Sequence, residues 1–253
     1  MNQRAKLILQ QLEDKGSVRV SELSKQLGCS EVTIRNDIQK LEDKGLLIRT
    51  HGGATRVGAQ VSVNYQAGNI YKNADQKQRI SQKAYDYIKD NETIILDDAS
   101  INYYLAKIIK DNPSKHLVVI TNSLVAAGIL ADSKHITLFL LGGQVGGNLP
   151  ATMGDITSDY LRNIRADKAF ISAHGVNFKA GITSVDSPQL QVKKEIIDAS
   201  REVYLLVDSS KFGGGYIMTI CPLSRITRII TDKDIDQEHL KEASSKNINL
   251  EVV

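Results

Sequence analysis

Apolar residues in the first fifty positions recur at helical spacing, interrupted by short polar gaps. Ile8, Leu9 and Leu12 fall on one face of a helix predicted over Arg4 to Asp14, which Lys15 and Gly16 close with a basic last turn and a terminal glycine. A second short helix, capped by Ser21 and carrying Leu23 and Leu27, stops at Gly28. The third has the clearest pattern: Ser30 as N-cap, Glu31 in the first turn, Ile34, Ile38 and Leu41 at i, i+4 and i+7, and Gly45 as terminator. Two helices around Gly28-Cys29, the second with a narrow apolar stripe, read as a helix-turn-helix. Leu46 to Thr50, His51-Gly52-Gly53 and Ala54 to Val57 then read as a glycine-tipped hairpin flanked by Arg49 and Arg56, which makes a winged helix.

The pattern changes after residue 57. Gly58 to Tyr71 holds no charged residue and is rich in Gly, Asn, Gln and Ser, so a linker is placed over 58–73, between a domain at 1–57 and another at 74–253; its last part could pack on one of them. Beyond it, continuous apolar runs alternate with amphipathic stretches. Strands are predicted at Thr93–Asp97, Leu117–Thr121, Ile136–Leu141, Lys168–Ala173, Val203–Asp208, Arg228–Thr231 and Asn249–Val252. Helices are predicted at Ala74–Lys89, Ile101–Lys110, Leu124–Ala131, Ile156–Arg165, Pro188–Ser200 and Gln237–Ser245. Apolar strands between helices argue a mostly parallel sheet covered on both faces, an α/β domain.

Composition narrows the class. With 42% hydrophobic and 24% charged residues and no apolar run near the ~18 that a membrane span needs, the 253-residue chain reads as a globular cytosolic protein. Cys29 and Cys221 form no C-x-x-C pair, and the five histidines (His51, His116, His135, His174, His239) are scattered, so neither a disulfide framework nor a metal site is expected. The net charge of +3 is unevenly placed: residues 1–58 carry ten Lys or Arg against seven Asp or Glu, and the rest balances at 22 of each. The excess lies where a polyanion partner would be sought.

In a parallel sheet, ligands bind outside the carboxyl ends of the strands. Asp97 to Ser100 follows the first predicted strand and Thr121-Asn122-Ser123 the second, each before a helix whose free amides, with hydroxyl and amide side chains, suit an anion; taken singly, Ser100 and Ser123 also read as plain N-caps. Gly142-Gly143, Ala173-His174-Gly175, Gly181-Ile182-Thr183 and Asp208 to Gly213 add turns where a backbone can approach a ligand, with Asp208 suited to a hydroxyl and Lys211 to an anion. There is no G-x-G-x-x-G, Walker A loop, H-E-x-x-H or G-x-S-x-G.

Residues 30–54, Ser-Glu-Val-Thr-Ile-Arg-Asn-Asp-Ile through Leu-Glu-Asp-Lys-Gly to Thr-His-Gly-Gly-Ala, resemble the signature of DeoR-family bacterial repressors of sugar catabolism. Leu96-Asp97, Thr121 to Ser123, Gly142-Gly143, Gly154, Phe170 to Gly175, Gly181 to Thr183, Asp208 to Gly213 and Ile230 to Asp232 resemble the family's sensor domain, whose fold is similar to ribose-phosphate isomerases and CoA transferases. The resemblance implies a regulator with no cofactor that binds double-stranded operator DNA, is released by a phosphorylated sugar and works as a homodimer or homotetramer. DNA contacts are then expected from Ser30, Glu31, Thr33, Arg35, Asn36, Lys40, Arg49, His51 and Arg56, with Asp37 orienting Arg35 or an amide. The effector is expected at Asp97, Ser100, Thr121, Asn122, Ser123, Gly142, Gly143, His174, Thr183, Asp208 and two lysines that match the family's, Lys77 and Lys211, with Lys72 nearby. Ala99 and Ile101 depart from the family's glycine and hydroxyl residues. The rival reading is an isomerase-type enzyme with an accessory winged helix, for which Asp97, Asp98, Asp167, Asp186 and Asp208 are the available bases.

Overall fold

The computed structural model describes residues 3–15, 17–42, 46–50, 52–56, 68–147, 149–184, 187–214 and 218–253. The chain divides into two compact units, Met1–Ser62 and Val63–Val253.

The first unit runs α1 (Gln3–Lys15), β1 (Ser17–Arg19), α2 (Val20–Leu27), α3 (Glu31–Glu42), β2 (Leu47–Thr50) and β3 (Gly53–Arg56). Ile8, Leu12, Leu23, Ile34, Ile38 and Leu41 close its core, the residues that the helical spacing marks as inward. Gly28 adopts the left-handed conformation (φ 62°) that ends α2. Ser30 caps α3, its Oγ accepting the Thr33 amide at 3.2 Å. Ser21 is not the cap of α2. The helix starts at Val20 directly from β1, and its first amide, that of Val20, donates to the Gly52 carbonyl at 2.9 Å. Strand β1 has no counterpart in the sequence reading. It pairs with β3 (Val18↔Ala54, Arg19↔Gly53), giving a three-stranded sheet β1-β3-β2. The approach of β1 explains Gly53: a Cβ there would overlap the Val18 carbonyl. Gly45 and His51 lie outside the described residues.

The second unit opens with α4 (Gly68–Tyr71), inside the stretch read as linker; Ile70 is buried in it. Then follow α5 (Ala74–Asp86), β4 (Thr93–Leu96), α6 (Ser100–Asp111), β5 (Leu117–Thr121), α7 (Leu124–Leu130), β6 (Ile136–Leu140), β7 (Gln144–Gly146), β8 (Ala151–Met153), α8 (Asp155–Arg162), β9 (Ala166–Ile171), β10 (Gly175–Asn177), β11 (Gly181–Ser184), α9 (Ser187–Ala199), β12 (Ser200–Leu206), β13 (Met218–Cys221), β14 (Arg228–Thr231), α10 (Gln237–Ser245) and β15 (Leu250–Val252).

Seven strands form one parallel sheet ordered β15-β14-β12-β9-β4-β5-β6. Its side chains alternate between two cores. Ile94, Leu96, Phe170 and Leu206 pack with Ile80, Leu105 and Ala126 of α5, α6 and α7. Ile95, Ala169, Ile171 and Leu205 pack with Leu161, Val192 and Ile196 of α8 and α9. From β4 the chain adds β5 and β6 on one side, then crosses to add β9, β12, β14 and β15 on the other. The reversal falls between β4 and β9, which opens a crevice at their carboxyl ends.

Two small antiparallel sheets, β7-β8 and β10-β11-β13, lie outside this pattern. Their three- and four-residue strands are too short for an alternation to stand out. Strand β9 begins two residues before the predicted start because Ala166 and Asp167 are strand residues. The Asp167 carboxylate accepts the Thr93 amide at 2.9 Å, and buried Lys168 pairs with Glu92.

Candidate functional site

Two arrangements carry chemistry. The first is the outer face of α3. With Ile34, Ile38 and Leu41 turned inward, Glu31, Val32, Arg35, Asn36 and Lys40 are exposed and Thr33 is half-buried. Arg35 is held by Glu31 one turn earlier at 2.7 Å, with both side chains about half exposed, a pairing weak enough to yield to a phosphate. Asp37 is buried and pairs with Arg4 of α1, so it fastens α3 to α1, while among the described residues Arg35 is held by Glu31. Arg49 and Arg56 lie in β2 and β3, paired in register with Ala54 and Leu47.

The second arrangement is a cavity of about 210 Å³ at the switch point of the second unit. The turn after β4 contributes Asp98, Ala99, Ser100 and Ile101, the turn after β9 Ser172, Ala173 and His174, and the end of β12 Leu206, Asp208, Ser210 and Lys211. Lys72, Asn73 and Lys77 come from the start of α5 and the residues before it, Gln189 and Lys193 from α9, and Leu149 and Ser184 complete the wall.

The floor is organised by Asp97, which is 1% exposed. One carboxylate oxygen accepts the Ala99 amide at 2.9 Å and the Asn102 side-chain amide at 2.7 Å. The other accepts the Ser172 amide at 3.0 Å and pairs with Lys193, whose ammonium also donates to the Ser172 carbonyl at 2.9 Å. Asp97 thus ties the β4 turn to the β9 turn. Burial pulls the Lys193 ammonium down, but the charges of Asp97 and Asp98 outweigh it and hold it above the ordinary lysine range.

Lys77 behaves in the opposite way. It is 7% exposed, its ammonium lies 3.5 Å from the Ile70 carbonyl, and its pKa falls to about 8. Burial is the main cause; Asp208 opposes it, while Lys211 and Lys72 add to it. A lysine held partly desolvated beside two further lysines gains from any anion that enters. Asp208 accepts the Ser210 amide and the Asn73 side-chain amide, both at 3.2 Å, and so links the β12 end to the start of α5. The His174 ring meets the Ser184 hydroxyl at 3.1 Å.

Comparison with known proteins places both units. Residues 4–60 match the DeoR-like helix-turn-helix domain and residues 72–233 the DeoR C terminal sensor domain. The chain belongs to the DeoR family. Among its curated relatives, the lactose phosphotransferase system repressor of Lactococcus lactis is 34% identical over 96% of both chains, and the L-fucose operon activator of Haemophilus influenzae 31% identical over 98% of both. A ribose 5-phosphate isomerase from Methanocaldococcus jannaschii aligns with 55% of each chain at 20% identity and a TM-score of 0.40, a likeness that bears on neither activity nor ligand.

Within this DeoR-family chain the residues expected at the effector site separate into two groups. Lys77, Ser100, His174, Asp208 and Lys211 line the cavity, and Asp97 lies beneath it. Ser100 is not an N-cap; α6 is preceded by Ala99, which leaves the Ser100 hydroxyl facing the cavity. Thr121, Asn122 and Ser123 are buried and bonded to their own chain. The Thr121 hydroxyl donates to the Leu96 carbonyl at 2.7 Å, the Asn122 amide to the Thr152 carbonyl at 3.1 Å, and the Ser123 Oγ caps α7 by accepting the Ala126 amide at 3.2 Å. Strand β8 lies over the end of β5, its Thr152 amide bonded to the Asn122 carbonyl at 2.8 Å, and so closes this turn. Gly142 accepts the Thr157 hydroxyl at 2.8 Å, and Gly143 (φ 149°) sits where a Cβ would overlap that side chain. Thr183 donates to the Gly175 carbonyl at 3.2 Å, leaving its neighbour Ser184 to face the cavity.

Lys193, Ser172, Gln189 and Asn73 are cavity residues that sequence reasoning missed. The signal for Lys193 was present: it stands three and four residues before Ile196 and Ile197, on the apolar stripe of α9, where an uncompensated charge would be costly. On α3, Val32, not singled out in the sequence, is 62% exposed on the outer face of the helix.

Proposed function

We propose that the chain is a DNA-binding regulator of a carbohydrate operon whose cavity at the switch point takes a phosphorylated sugar. The observation that carries this reading is the cavity's charge: with Lys193 balanced by Asp97 beneath it, Lys72, Lys77 and Lys211 face the cavity against Asp98 and Asp208. The phosphate sits on Lys77, Lys211 and the Ser100 hydroxyl at the start of α6, while Asp208, Asp98 and His174 take hydroxyls. A volume of about 210 Å³ suits one small phosphorylated sugar and is below the range of dinucleotide-sized pockets. The names of the relatives, one a repressor and one an activator, support control of sugar genes and leave the direction of the response to measurement.

In this reading residues 1–57 bind the operator, with α3 in the major groove, Thr33, Asn36 and Val32 at base edges, Ser30 and Glu31 at the groove edge, and Arg35, Lys40 and the wing residues Arg49, His51 and Arg56 at phosphates. One small winged helix reads a short half-site, so two copies of the chain act together. The chain turns over no substrate. Asp97, beneath the cavity, is occupied by four donors of the protein itself, and Asp208 in its wall by Asn73 and Ser210, so neither is a poised base.

The test is a thermal-shift screen of the full chain against phosphorylated sugars and their unphosphorylated parents, with a turnover assay alongside. Selective stabilisation by one phosphorylated sugar, with no product formed, is expected. Product formation, or equal stabilisation by the parent sugar, would overturn the reading.

A further inference from the structure

The seven-stranded sheet stops on one side at β6, and among the described residues no strand pairs with its outer edge. Exposed sheet edges are ordinarily blunted by charge, proline or a covering segment. β6 reads Ile-Thr-Leu-Phe-Leu, with neither charge nor proline, and leaves Phe139 54% and Leu140 49% exposed. Phe139 and Leu140, adjacent on the strand, flank the open edge on opposite faces of the sheet, and further exposed apolar side chains follow along the chain. Val145 of β7 is 44% exposed, and Ile156 and Tyr160, one turn apart on α8, are 62% and 60% exposed. The hydrogen bond from Thr157 to the Gly142 carbonyl and the close packing of Gly143 on Thr157 bring this turn of α8 against the segment that leaves β6. Five of the ten large hydrophobic side chains exposed among the described residues thus fall between positions 139 and 160, a concentration that scattered surface residues do not produce.

We propose that this edge joins two copies of the chain, their β6 strands running antiparallel across a two-fold axis. A second copy is the occupant that the geometry favours. Identical strands pair antiparallel by symmetry, each offering the other the amides and carbonyls it lacks, and an uncharged strand meets its own copy without repulsion. The five side chains present about 500 Å² per copy, taking roughly 150 to 200 Å² for each when fully exposed. Doubled, and with the strand backbones and flanking polar residues added, this reaches the ~1,200 Å² at which stable interfaces begin. The surface rests on the self-association proposed above and says where it occurs.

The test is sedimentation velocity of the full chain without DNA at micromolar concentration, for the native protein and for Phe139→Lys with Ile156→Lys, both at positions more than half exposed. A native dimer or larger assembly, weakened at least thirtyfold in the double variant, is expected. A second readout does not depend on those variants: a spin label at Thr137→Cys, in a Cys29→Ser background, should give an inter-label distance below about 25 Å, because paired strands lie ~4.8 Å apart. A native monomer would defeat self-association itself. An assembly that persists undiminished in the double variant, or an inter-label distance beyond about 40 Å, would defeat this surface while leaving self-association intact.

Discussion

Lys77 is held in the folded chain with a pKa of about 8, against 10.5 for an unconstrained lysine. The unfolded chain therefore binds more protons between those values, so stability rises with pH across that window, and the full cost of the buried ammonium is carried below pH 8. At about 1.4 kcal/mol per unit the shift corresponds to about 3 kcal/mol, and to roughly half of that once solvent reaching the ammonium through the cavity mouth is counted. Replacing Lys77 by methionine removes the charge and keeps the stem. The variant is expected to melt higher at pH 7 by several degrees, at ~2 to 4 °C per kcal/mol for a unit of this size, and the gain should shrink as pH rises from 8 to 10.5.

The same shift sets the ligand's pH dependence. If the phosphate requires the charged lysine, affinity falls as Lys77 deprotonates, by about tenfold between pH 7 and pH 9, a range in which the sugar phosphate is already fully ionised. Isothermal titration of the sugar selected by the thermal-shift screen, at pH 7, 8 and 9, measures this for the native chain and for Lys77→Met. The variant should bind weakly with a flat profile. A Lys77→Met chain that is less stable than native at pH 7, or that retains the tenfold fall, would refute the reasoning.

Lys193→Met should be destabilising by about 3 to 5 kcal/mol in urea titration, because it strands Asp97 as a buried charge; a cost under 1 kcal/mol would mean that the pair is not the cavity's floor. Gly53→Ala should cost about 2 kcal/mol or more and lower the melting temperature of the first unit, since the added Cβ on β3 pushes away the Val18 carbonyl and with it β1; unchanged stability would contradict the β1-β3 pairing. On a duplex selected by the full chain from a random library, Lys40→Ala should weaken all sequences alike and reduce the salt slope by about one, whereas Thr33→Ala and Asn36→Ala should change preference. Unaltered affinity in the triple variant Thr33→Ala, Arg35→Ala, Asn36→Ala would remove α3 from the DNA.

What the sequence made legible follows from length and periodicity. The inner strands of the parallel sheet and the helices packed on it announce themselves, because a strand buried on both faces must be continuously apolar and each covering helix must carry a stripe; the edge strands β6 and β15 carry mainly apolar residues although partly exposed. The small sheets did not, since three-residue strands such as Ala151–Met153 carry too little pattern, and their omission had a cost for the site. Thr121-Asn122-Ser123 reads as an open strand-end turn until β8 is laid over it. Ser100 and Ser123 look alike in sequence, yet one faces the cavity and the other caps a helix. Lys193 was hidden for the opposite reason: a charged residue inside an apolar stripe is ordinarily discounted, and here Asp97, nearly a hundred positions away, compensates it. Ser100, His174, Asp208 and Lys211, after β4, β9 and β12, were legible as cavity residues because the rule that ligands lie at carboxyl ends of strands depends on topology alone.

The most direct test of the account couples its two units through one side chain. Operator binding is followed by fluorescence anisotropy for the native chain and for Lys211→Ala, each titrated with the phosphorylated sugar chosen by the screen and with its unphosphorylated parent. The native chain is predicted to change its DNA affinity with the phosphorylated sugar only, and Lys211→Ala to bind DNA as tightly as native while losing that response. A Lys211→Ala chain that responds at the native concentration of ligand, or a native chain that responds equally to the parent sugar, would contradict the assignment of the switch-point cavity as the sensor.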